Sequence, residues 1–414
     1  MECYLDNAAT TKPSEPVIEA VLQAMRTDFG NPSSKHKKGM EAEKYIRNTT
    51  DALCSALKCK PQEIILTSGG TESNNQALIG GAYANRRAGN HIISTAFEHA
   101  AVYKPLEFLE SAGFEVDYVG VDELGHIRLD ELEKLIRPET IIVSVMLVNN
   151  EVGAVQDIEA VSALIKRVNP GTLLHVDAIQ AFGKMKIYPQ RMGIDMLSIS
   201  GHKLCGPKGS GALYVRAGVK LKPYIYGGGQ QHDMRSGTEN VPAIAGFGVA
   251  VKDASENLEE HRKSMFACKA ALIARVMGIE GTTVNAVPQE SLEALKAAGS
   301  LKSAEDYEKL PKEAVEALET TAPHILSVSF EGIDRSEVLL HALEEKEVYV
   351  SSGSACSSNH PGLSGSLKAI GVTKELLNAT LRFSFSFGST VDEVNIAADE
   401  LENILPLLRR FRRK

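Results

Sequence analysis

The chain has 414 residues, 43% of them hydrophobic, and a formal net charge of -8. The acidic balance argues against a general nucleic-acid binder, and the length predicts two or three domains, or one large and one small. No uninterrupted apolar run reaches the length of a membrane span, so we expect neither a membrane partner nor direct nucleic-acid binding.

The six cysteines are spread along the chain without a CxxC pair. Cys54 and Cys59 are the closest pair, and no histidine completes a metal-type spacing around them, so we predict no metal site. The N-terminal residues MECYLDNAATT lack the basic and apolar regions of a signal peptide. We therefore expect a cytoplasmic protein with reduced thiols.

The first two-thirds of the chain alternates short apolar runs with amphipathic stretches. The apolar runs are typical of strands buried on both faces of a mostly parallel sheet: EIILTS, HIISTAFEH, TIIVSVMLVNN, LLHVDAIQA and MLSISGHK. The stretches between them have helical periodicity, as in DIEAVSALIKRV. This alternation predicts a large α/β domain over 14–255, with its ligand site where the strands end.

The C-terminal third predicts a smaller α+β domain, formed by 256–414 together with 1–13. The stretch 240–278 predicts one long helix, or two nearly joined, between the domains. Residues 287–323 are charged, alanine-rich and helix-prone, and we predict a surface insertion without an assigned role. The basic ending RRFRRK predicts a solvated tail, with contact to an acidic partner as the alternative.

One cysteine is distinguished by its surroundings. Cys356 lies in SSGSACSSNHP, within a predicted loop over about 350–362 that follows the strand pattern EVYV. Small polar residues cannot pack a core, and Gly353 loosens the backbone. Because structural cysteines usually lie among apolar neighbours, we expect a reactive thiol on a mobile loop. An incidental exposed thiol is the alternative.

A lysine and an aspartate follow two of the predicted strands. Lys203 lies in SISGHKLCGPKGSG, and Asp177 ends the apolar run LLHVD. An acid in so apolar a run needs a cation or hydrogen-bond donors, and a pyridinium nitrogen is such a partner. An aspartate beside a pyridinium and a lysine that forms a Schiff base are the protein parts of a pyridoxal 5'-phosphate site. A lysine on a surface loop is the alternative.

A glycine-rich turn could bind the phosphate of such a cofactor. In LTSGGTESNN, Gly69 and Gly70 follow a predicted strand, and a helix begins at Thr71. Exposed N–H groups at a helix N-terminus, together with a hydroxyl, favour a phosphate. A plain turn with Thr71 as N-cap is the alternative.

Three further residues are candidates for the same site. His99 follows a strand, where an imidazole could stack on a cofactor ring and transfer protons; a structural histidine is the alternative. Asn150 follows the next strand and could donate to a ring oxygen or a substrate carboxylate. Arg382 interrupts the apolar strand LRFSFSF and could bind a carboxylate with two N–H groups, unless it lies on a solvated face.

Motif by motif and in order, the chain resembles the NifS/IscS-type cysteine desulfurases of the class V aminotransferase group, which are fold-type I pyridoxal phosphate enzymes. The resemblance runs from Tyr4 to about Phe387. Its motifs are YLDNAATT, SGGTESNN, EHAA, NNEVGAVQ, HVDAIQA, SISGHKLCGPKGSGALYVR, RSGTEN, SSGSACSS and LRFSF.

The resemblance implies a role for each matched residue. Lys203 would form the Schiff base with pyridoxal 5'-phosphate, Asp177 would pair with the ring nitrogen, and Gln180 would contact the ring hydroxyl. His99 would stack on the ring. The resemblance also implies the remaining roles. Gly70, Thr71, Ser200 and His202 would bind the phosphate, and Thr238 would reach the phosphate of the neighbouring subunit. Asn7, Asn150 and Arg382 would bind the substrate, and Cys356 would be the nucleophile.

The implied reaction removes sulfur from L-cysteine, leaves L-alanine and places the sulfur on Cys356 as a persulfide. The implied partners are a second copy of the chain in a homodimer and a sulfur acceptor, such as an iron–sulfur cluster scaffold or a tRNA thiolation enzyme. Three alternatives stay open: an aminotransferase or direct C–S lyase on the same fold, a selenocysteine lyase, and a non-catalytic sulfur carrier.

Overall fold

The computed structural model describes residues 1–299, 301–352 and 364–410. The predicted nucleophile Cys356 lies outside these ranges. The strands are β1 (Cys3–Tyr4), β2 (Ile64–Thr67), β3 (His91–Thr95), β4 (Glu115–Val119), β5 (Thr140–Met146), β6 (Leu173–Asp177), β7 (Met196–Ser200), β8 (Gly211–Val215), β9 (Thr282–Asn285), β10 (Ile325–Phe330), β11 (Val348–Tyr349), β12 (Ser351–Ser352) and β13 (Thr380–Ser384).

The helices alternate with these strands over most of the chain. They are α1 (Glu15–Arg26), α2 (Lys37–Leu57), α3 (Gly70–Asn75), α4 (Gly81–Asn85), α5 (Ala100–Ser111), α6 (Leu129–Leu135), α7 (Ile158–Val168), α8 (Val241–Glu256), α9 (Leu258–Val276), α10 (Gln289–Ala298), α11 (Ala304–Glu308), α12 (Lys312–Leu318), α13 (Ser336–Glu344), α14 (Gly365–Ala369), α15 (Lys374–Leu377) and α16 (Val391–Arg410).

A seven-stranded sheet organises the first two-thirds of the chain, in the order β2-β8-β7-β6-β5-β3-β4. The pairs from β7 through β6, β5 and β3 to β4 are parallel, and β8 is antiparallel to both of its neighbours. Strands β5, β6 and β7 are buried along their whole length, as apolar strands covered by helices on both faces must be. The prediction of a mostly parallel α/β sheet is confirmed.

The C-terminal part contains an antiparallel sheet in the order β12-β13-β10-β9. The N-terminal residues join it, because β1 pairs with β11 and Asp6 forms a bridge with Ser384. Cys3 and Leu5 lie in the same hydrophobic cluster as β10, β13 and α16. The division into 14–255 and the remainder stays a prediction, but the first residues of the chain pack with the last.

The long helical pattern after residue 240 forms two helices, α8 and α9, that meet at Asn257. The φ and ψ angles of Asn257 are -105° and 18°, and its backbone N–H still bonds to the carbonyl of Asp253 in α8. The Asn257 side chain also donates to the Asp253 carboxylate at 2.8 Å. Asparagine competes for backbone and neighbouring groups in this way, and it often ends a helix.

The segment 287–323 forms α10, α11 and α12. Its apolar side chains enter the hydrophobic cluster around α9, with Leu292, Leu295, Leu301, Tyr307 and Leu318 all buried. The assignment as an insertion stays a prediction, but the segment contributes to the core as well as to the surface.

None of the helices in the described ranges combines the length and the apolar character that crossing a bilayer requires.

Candidate active site

A cavity of about 470 Å³ opens at the edge of the seven-stranded sheet where β2, β5, β6 and β7 end. Its walls bring together segments that are far apart in sequence. Ten of the thirteen predicted site residues line it: Gly70, Thr71, His99, Asn150, Asp177, Gln180, Ser200, His202, Lys203 and Arg382.

Lys203 ends a short 3-10 turn, Gly201–Lys203, that follows β7. Its Nζ donates to the backbone carbonyl oxygens of Ala8 and Ala9, both at 2.6 Å. The backbone of the N-terminal segment therefore holds the amine at the cavity wall. A surface-loop position for this lysine, the alternative at the level of sequence, is wrong because Lys203 lines the cavity.

Asp177 ends β6 and is buried. Its Oδ2 accepts from Nδ2 of Asn74 at 2.7 Å, and its Oδ1 accepts from the N–H of Ile179 at 3.0 Å. Both donors are neutral, so burial dominates and raises the pKa of the carboxyl. A cation placed in the cavity would reverse this effect and favour the carboxylate.

His99 is the N-cap of α5, and its Nδ1 accepts from the N–H of Ala101 at 3.0 Å. An atom that accepts from an N–H carries no proton, so the neutral ring holds its proton on Nε2. Burial lowers the pKa of His99, which keeps the ring neutral. The cap bond also fixes the orientation of the ring in the cavity wall.

The turn before α3 has the close packing that glycine permits. Gly69 has φ of +143°, and a Cβ added to Gly70 would clash with Cδ1 of Ile179. Helical backbone runs from Gly70 to Asn85 with a π-helical turn in the middle, so its N–H groups begin at the cavity.

Ser200 and His202 also line the cavity. His202 Nδ1 is 3.2 Å from Oγ1 of Thr10, and burial lowers the pKa of His202 to about 4. The ring is therefore neutral near pH 7. A neutral imidazole beside N–H groups and hydroxyls can take part in binding an anion by donating a hydrogen bond.

Arg382 is 4% exposed on β13, so the alternative of a solvated strand face is wrong. Its Nη1 donates to the carbonyl of Asn150 at 2.9 Å, and its Nη2 donates to Oδ1 of Asp6 at 2.8 Å. Its Nε is buried without a hydrogen-bond partner among the described residues. A buried donor of this kind fits a ligand carboxylate.

Two other predicted site residues, Asn7 and Thr238, do not line the cavity in the described structure. Asn7 donates to the carbonyls of Tyr4 and Ser384, at 2.9 and 3.0 Å, and so ties the N-terminal segment to β13. Thr238 is exposed in the segment before α8. Their roles, and that of Cys356 outside the described residues, stay predictions.

Several residues that support the site were not found from the sequence. Asn74 lies four residues after Gly70, one helical turn on, and that spacing within the SGGTESNN motif could have revealed it. Asp6, Ala8 and Ala9 lie inside the motif YLDNAATT, and Glu98 lies inside EHAA, although roles were predicted only for Asn7 and His99 there. Lys184 and His324 lie in no such motif.

Glu98 is buried beside the site, immediately before His99. Its Oε1 accepts from the N–H of Met146 and from Oγ1 of Thr95, both at 2.8 Å, while Oε2 has no partner among the described residues. Burial raises the pKa of Glu98 to about 8, so this carboxyl is neutral at pH 7.

The residues present fit pyridoxal 5'-phosphate. Asp177 is a buried carboxyl whose two hydrogen-bond donors are neutral, and a pyridinium would add a charged donor to them. Lys203 supplies an amine at the wall of the same cavity. The N–H groups after Gly70 and the side chains of Ser200 and His202 supply neutral donors suited to a phosphate.

The model of the family described as "Aminotransferase class-V" matches residues 3–298 and 292–396. The chain belongs to the class-V aminotransferase family. Among curated members, it is 37% identical to cysteine desulfurase IscS of Methanosarcina thermophila over 408 residues, which are 99% of this chain and 93% of that protein. It is 38% identical to the putative cysteine desulfurase IscS 1 of Bacillus subtilis, covering 98% and 99% of the two chains.

Solved structures of the class-V family have the same fold. A NifS-like protein superposes with a TM-score of 0.86 at 35% identity, covering 98% of this chain and all of that one. A structure titled "SspA in complex with cysteine" has a TM-score of 0.75 at 31% identity, with coverage of 93% and 99%. The resemblance to NifS/IscS-type cysteine desulfurases and the fold-type I prediction are both confirmed.

Proposed function

We propose that this class-V family member is a pyridoxal phosphate-dependent cysteine desulfurase that converts L-cysteine to L-alanine and places the sulfur on Cys356. The observation that carries the proposal is that Lys203, Asp177 and Arg382 meet in one cavity. An amine, a buried carboxyl and a carboxylate-binding guanidinium are what an amino-acid-processing pyridoxal phosphate site requires. Full-length relatives named cysteine desulfurase support the same choice of substrate.

When bound, pyridoxal phosphate supplies the electron sink that weakens the Cα–H and Cβ–S bonds of an amino acid. Asp177 would hold the ring nitrogen, and the Gly70 turn with Thr71, Ser200 and His202 would hold the phosphate. Gln180 would contact the ring hydroxyl.

Lys203 Nζ is the base that removes the Cα proton of the substrate and returns it within the cavity. The carbonyls of Ala8 and Ala9 limit where this amine can lie. A held amine needs less reorganisation before it meets the proton, and positioning of this kind lowers the barrier.

Arg382 binds the substrate carboxylate. Its bonds to Asp6 and to the carbonyl of Asn150 fix the plane of the guanidinium, and its unpartnered Nε would be one of the donors to the substrate. The ion pair with Asp6 also keeps a buried cation compensated while the cavity is empty of substrate.

His99 provides an N–H on Nε2 and an acceptor on Nδ1 that is occupied by the cap of α5. In this state the ring donates a proton or hydrogen bond in the cavity more readily than it accepts one.

The Cys356 thiolate attacks the substrate sulfur and forms the S–S bond, while the electron pair of the broken Cβ–S bond stays with carbon. Protonation of that carbon completes L-alanine.

Further assignments belong to the same proposal. The enzyme forms a homodimer in which Thr238 reaches the phosphate of the neighbouring subunit, it acts in the cytoplasm, and it delivers sulfur to an acceptor protein such as an iron–sulfur cluster scaffold or a tRNA thiolation enzyme. The exposure of Thr238, away from the cavity of its own chain, supports the first of these.

The test is the mass of the Cys356 peptide after incubation of the holoenzyme with L-cysteine in the absence of reductant. We expect a gain of one sulfur on Cys356, absent from Lys203→Ala and retained in Cys59→Ser, which removes a different partly exposed thiol. Release of sulfide, pyruvate and ammonia without sulfur on Cys356 would favour a direct C–S lyase. Transfer of the amino group to the cofactor, with the sulfur kept on the resulting keto acid, would favour an aminotransferase.

A further inference from the structure

His324 is a buried histidine that lies immediately before β10. It is 1% exposed, and its backbone carbonyl accepts from the N–H of Phe385 at 2.9 Å. Its Nε2 is 3.1 Å from Oε1 of Gln180, which lines the active-site cavity. His324, which adjoins the C-terminal sheet, therefore supports the side chain of Gln180, which follows β6.

The carbonyl of Ala8 determines which way the Gln180 amide faces. The Gln180 amide nitrogen, Nε2, is 3.0 Å from this oxygen, which can only accept a hydrogen bond. Oε1 therefore faces His324, and Nε2 of His324 must carry a proton in order to donate to it. The same Ala8 oxygen accepts from Nζ of Lys203, so the lysine and the amide share one anchor.

The surroundings of His324 keep its ring neutral. Burial lowers its pKa well below the ordinary value, and four cationic side chains act in the same direction: Lys184, Lys269, Lys203 and Arg382. With the proton on Nε2, Nδ1 is bare, and no described residue donates to it. The neutral ring with its proton on Nε2 therefore donates one hydrogen bond, to Gln180.

We propose that His324 is a positioning residue that holds the Gln180 amide with its nitrogen toward the ring oxygen of the cofactor. The inference rests on the proposed function, which assigns Gln180 to that oxygen. Ala8 uses one of the two N–H groups of the amide, and the second remains for an acceptor in the cavity. A flipped amide would place its own oxygen against the ring oxygen, and once the ring hydroxyl is ionised the two acceptors would repel each other.

The experiment compares apoproteins that differ only in the donor at position 324. His324→Leu and His324→Phe fill the site without an N–H, and His324→Gln restores one. The control is His91→Gln, since His91 on β3 is also buried and bonds to Thr140 on β5 and Asp117 on β4, away from the cavity. Pyridoxal 5'-phosphate is titrated into each protein, and its dissociation constant and the position of its visible absorption band are recorded.

We expect the Leu and Phe variants to bind the cofactor about tenfold more weakly, as loss of one donor to a buried acceptor implies, and to shift the band. The Gln variant and the His91→Gln control should keep the wild-type band and an affinity within about twofold of wild type. Thermal unfolding of each apoprotein identifies any variant that has not folded, and the other apolar variant then decides.

Two results would overturn the proposal. One is wild-type affinity and an unshifted band in a folded Leu or Phe variant. The other is an equal loss in the Gln variant, because ring shape and not the donated hydrogen bond would then matter. If the wild type binds the cofactor and the variants differ as expected but no sulfur reaches Cys356, the desulfurase assignment fails and the positioning role stands.

Discussion

The Nζ atom of Lys184 lies 2.6 Å from the backbone carbonyl oxygen of Lys203. Lys184 is buried beneath the active-site lysine, and burial lowers its pKa to about 7. As an ammonium or as an amine, it can still donate to this carbonyl. Lys184 therefore holds the backbone of Lys203, and the carbonyls of Ala8 and Ala9 hold its side-chain amine.

Replacing Lys184 by Met should change how stability depends on pH. Between about pH 7 and pH 10.5 the unfolded chain keeps a proton that folded Lys184 has released, so wild-type stability relative to the variant rises with pH, by up to about 1.4 kcal/mol per pH unit. Denaturant unfolding at pH 7, 8 and 9 measures the difference. Lys186→Met, at an exposed position in the same loop, is the control and should give a flat difference. A flat difference for Lys184→Met would contradict the prediction.

Thr321 provides a second test of a buried lysine. Its Oγ1 accepts from Nζ of Lys269 at 2.6 Å and donates to the carbonyl of Leu318 at 2.7 Å. Thr321→Val removes both bonds at constant volume, and we expect a loss of about 1–3 kcal/mol in the free energy of unfolding. Thr320→Val removes the analogous bond to Ala317 at an exposed position and should cost less than about 0.5 kcal/mol. Equal losses in the two variants would show that the bond from the threonine hydroxyl to the helix carbonyl, and not the Lys269 contact, determines stability here.

Arg382→Lys should raise KM for L-cysteine by about tenfold or more, because hydrogen bonds to charged groups contribute about 1.5–3 kcal/mol each. One ammonium cannot replace a planar guanidinium that binds Asp6 and the Asn150 carbonyl and that we propose to bind a substrate carboxylate as well. Steady-state alanine formation measures KM, and titration of the cofactor into the apoprotein should show little change. A variant that loses cofactor affinity but keeps KM would place Arg382 at the cofactor instead of the substrate.

Glu98→Gln isolates the titration of a buried carboxyl. The pKa of Glu98 is raised from 4.5 to about 8, so between these values the folded state holds a proton that the unfolded chain has lost. Wild-type stability relative to the variant should therefore fall as pH rises from 5 to 8, by up to about 1.4 kcal/mol per pH unit. Glu110→Gln, on the exposed face of α5, is the matched control. Parallel pH profiles for wild type and Glu98→Gln would contradict the prediction.

Where a chemically reactive side chain ends or follows a predicted strand, the sequence correctly predicted site residues that lie at the cavity. Asp177 ends a buried strand and Lys203 follows the next one, so parallel pairing of β6 and β7 brings them to one edge. His324 and Lys184 could not be found in this way, because their contacts with Gln180 and the Lys203 carbonyl depend on long-range packing. Ala8 and Ala9 act through backbone oxygens, which every residue type carries.

The charged, alanine-rich and helix-prone composition of 287–323 was also incomplete evidence. It predicted helices correctly, and α10, α11 and α12 lie there. The sequence alone does not show which apolar residues of this segment are buried, because that depends on packing against α9. Leu295 and Leu318 are buried in the hydrophobic cluster that includes α9.

Residues that are far apart in the sequence complete one site. Ser384 Oγ accepts from the N–H of Ala8 at 2.8 Å, and the carbonyl of Ala8 in turn holds Lys203. During synthesis the first ten residues leave the ribosome long before β13 exists. A chain synthesised only as far as α13 thus lacks the strand that anchors Ala8 and carries Arg382, so the proposed site cannot form before β13 has been made.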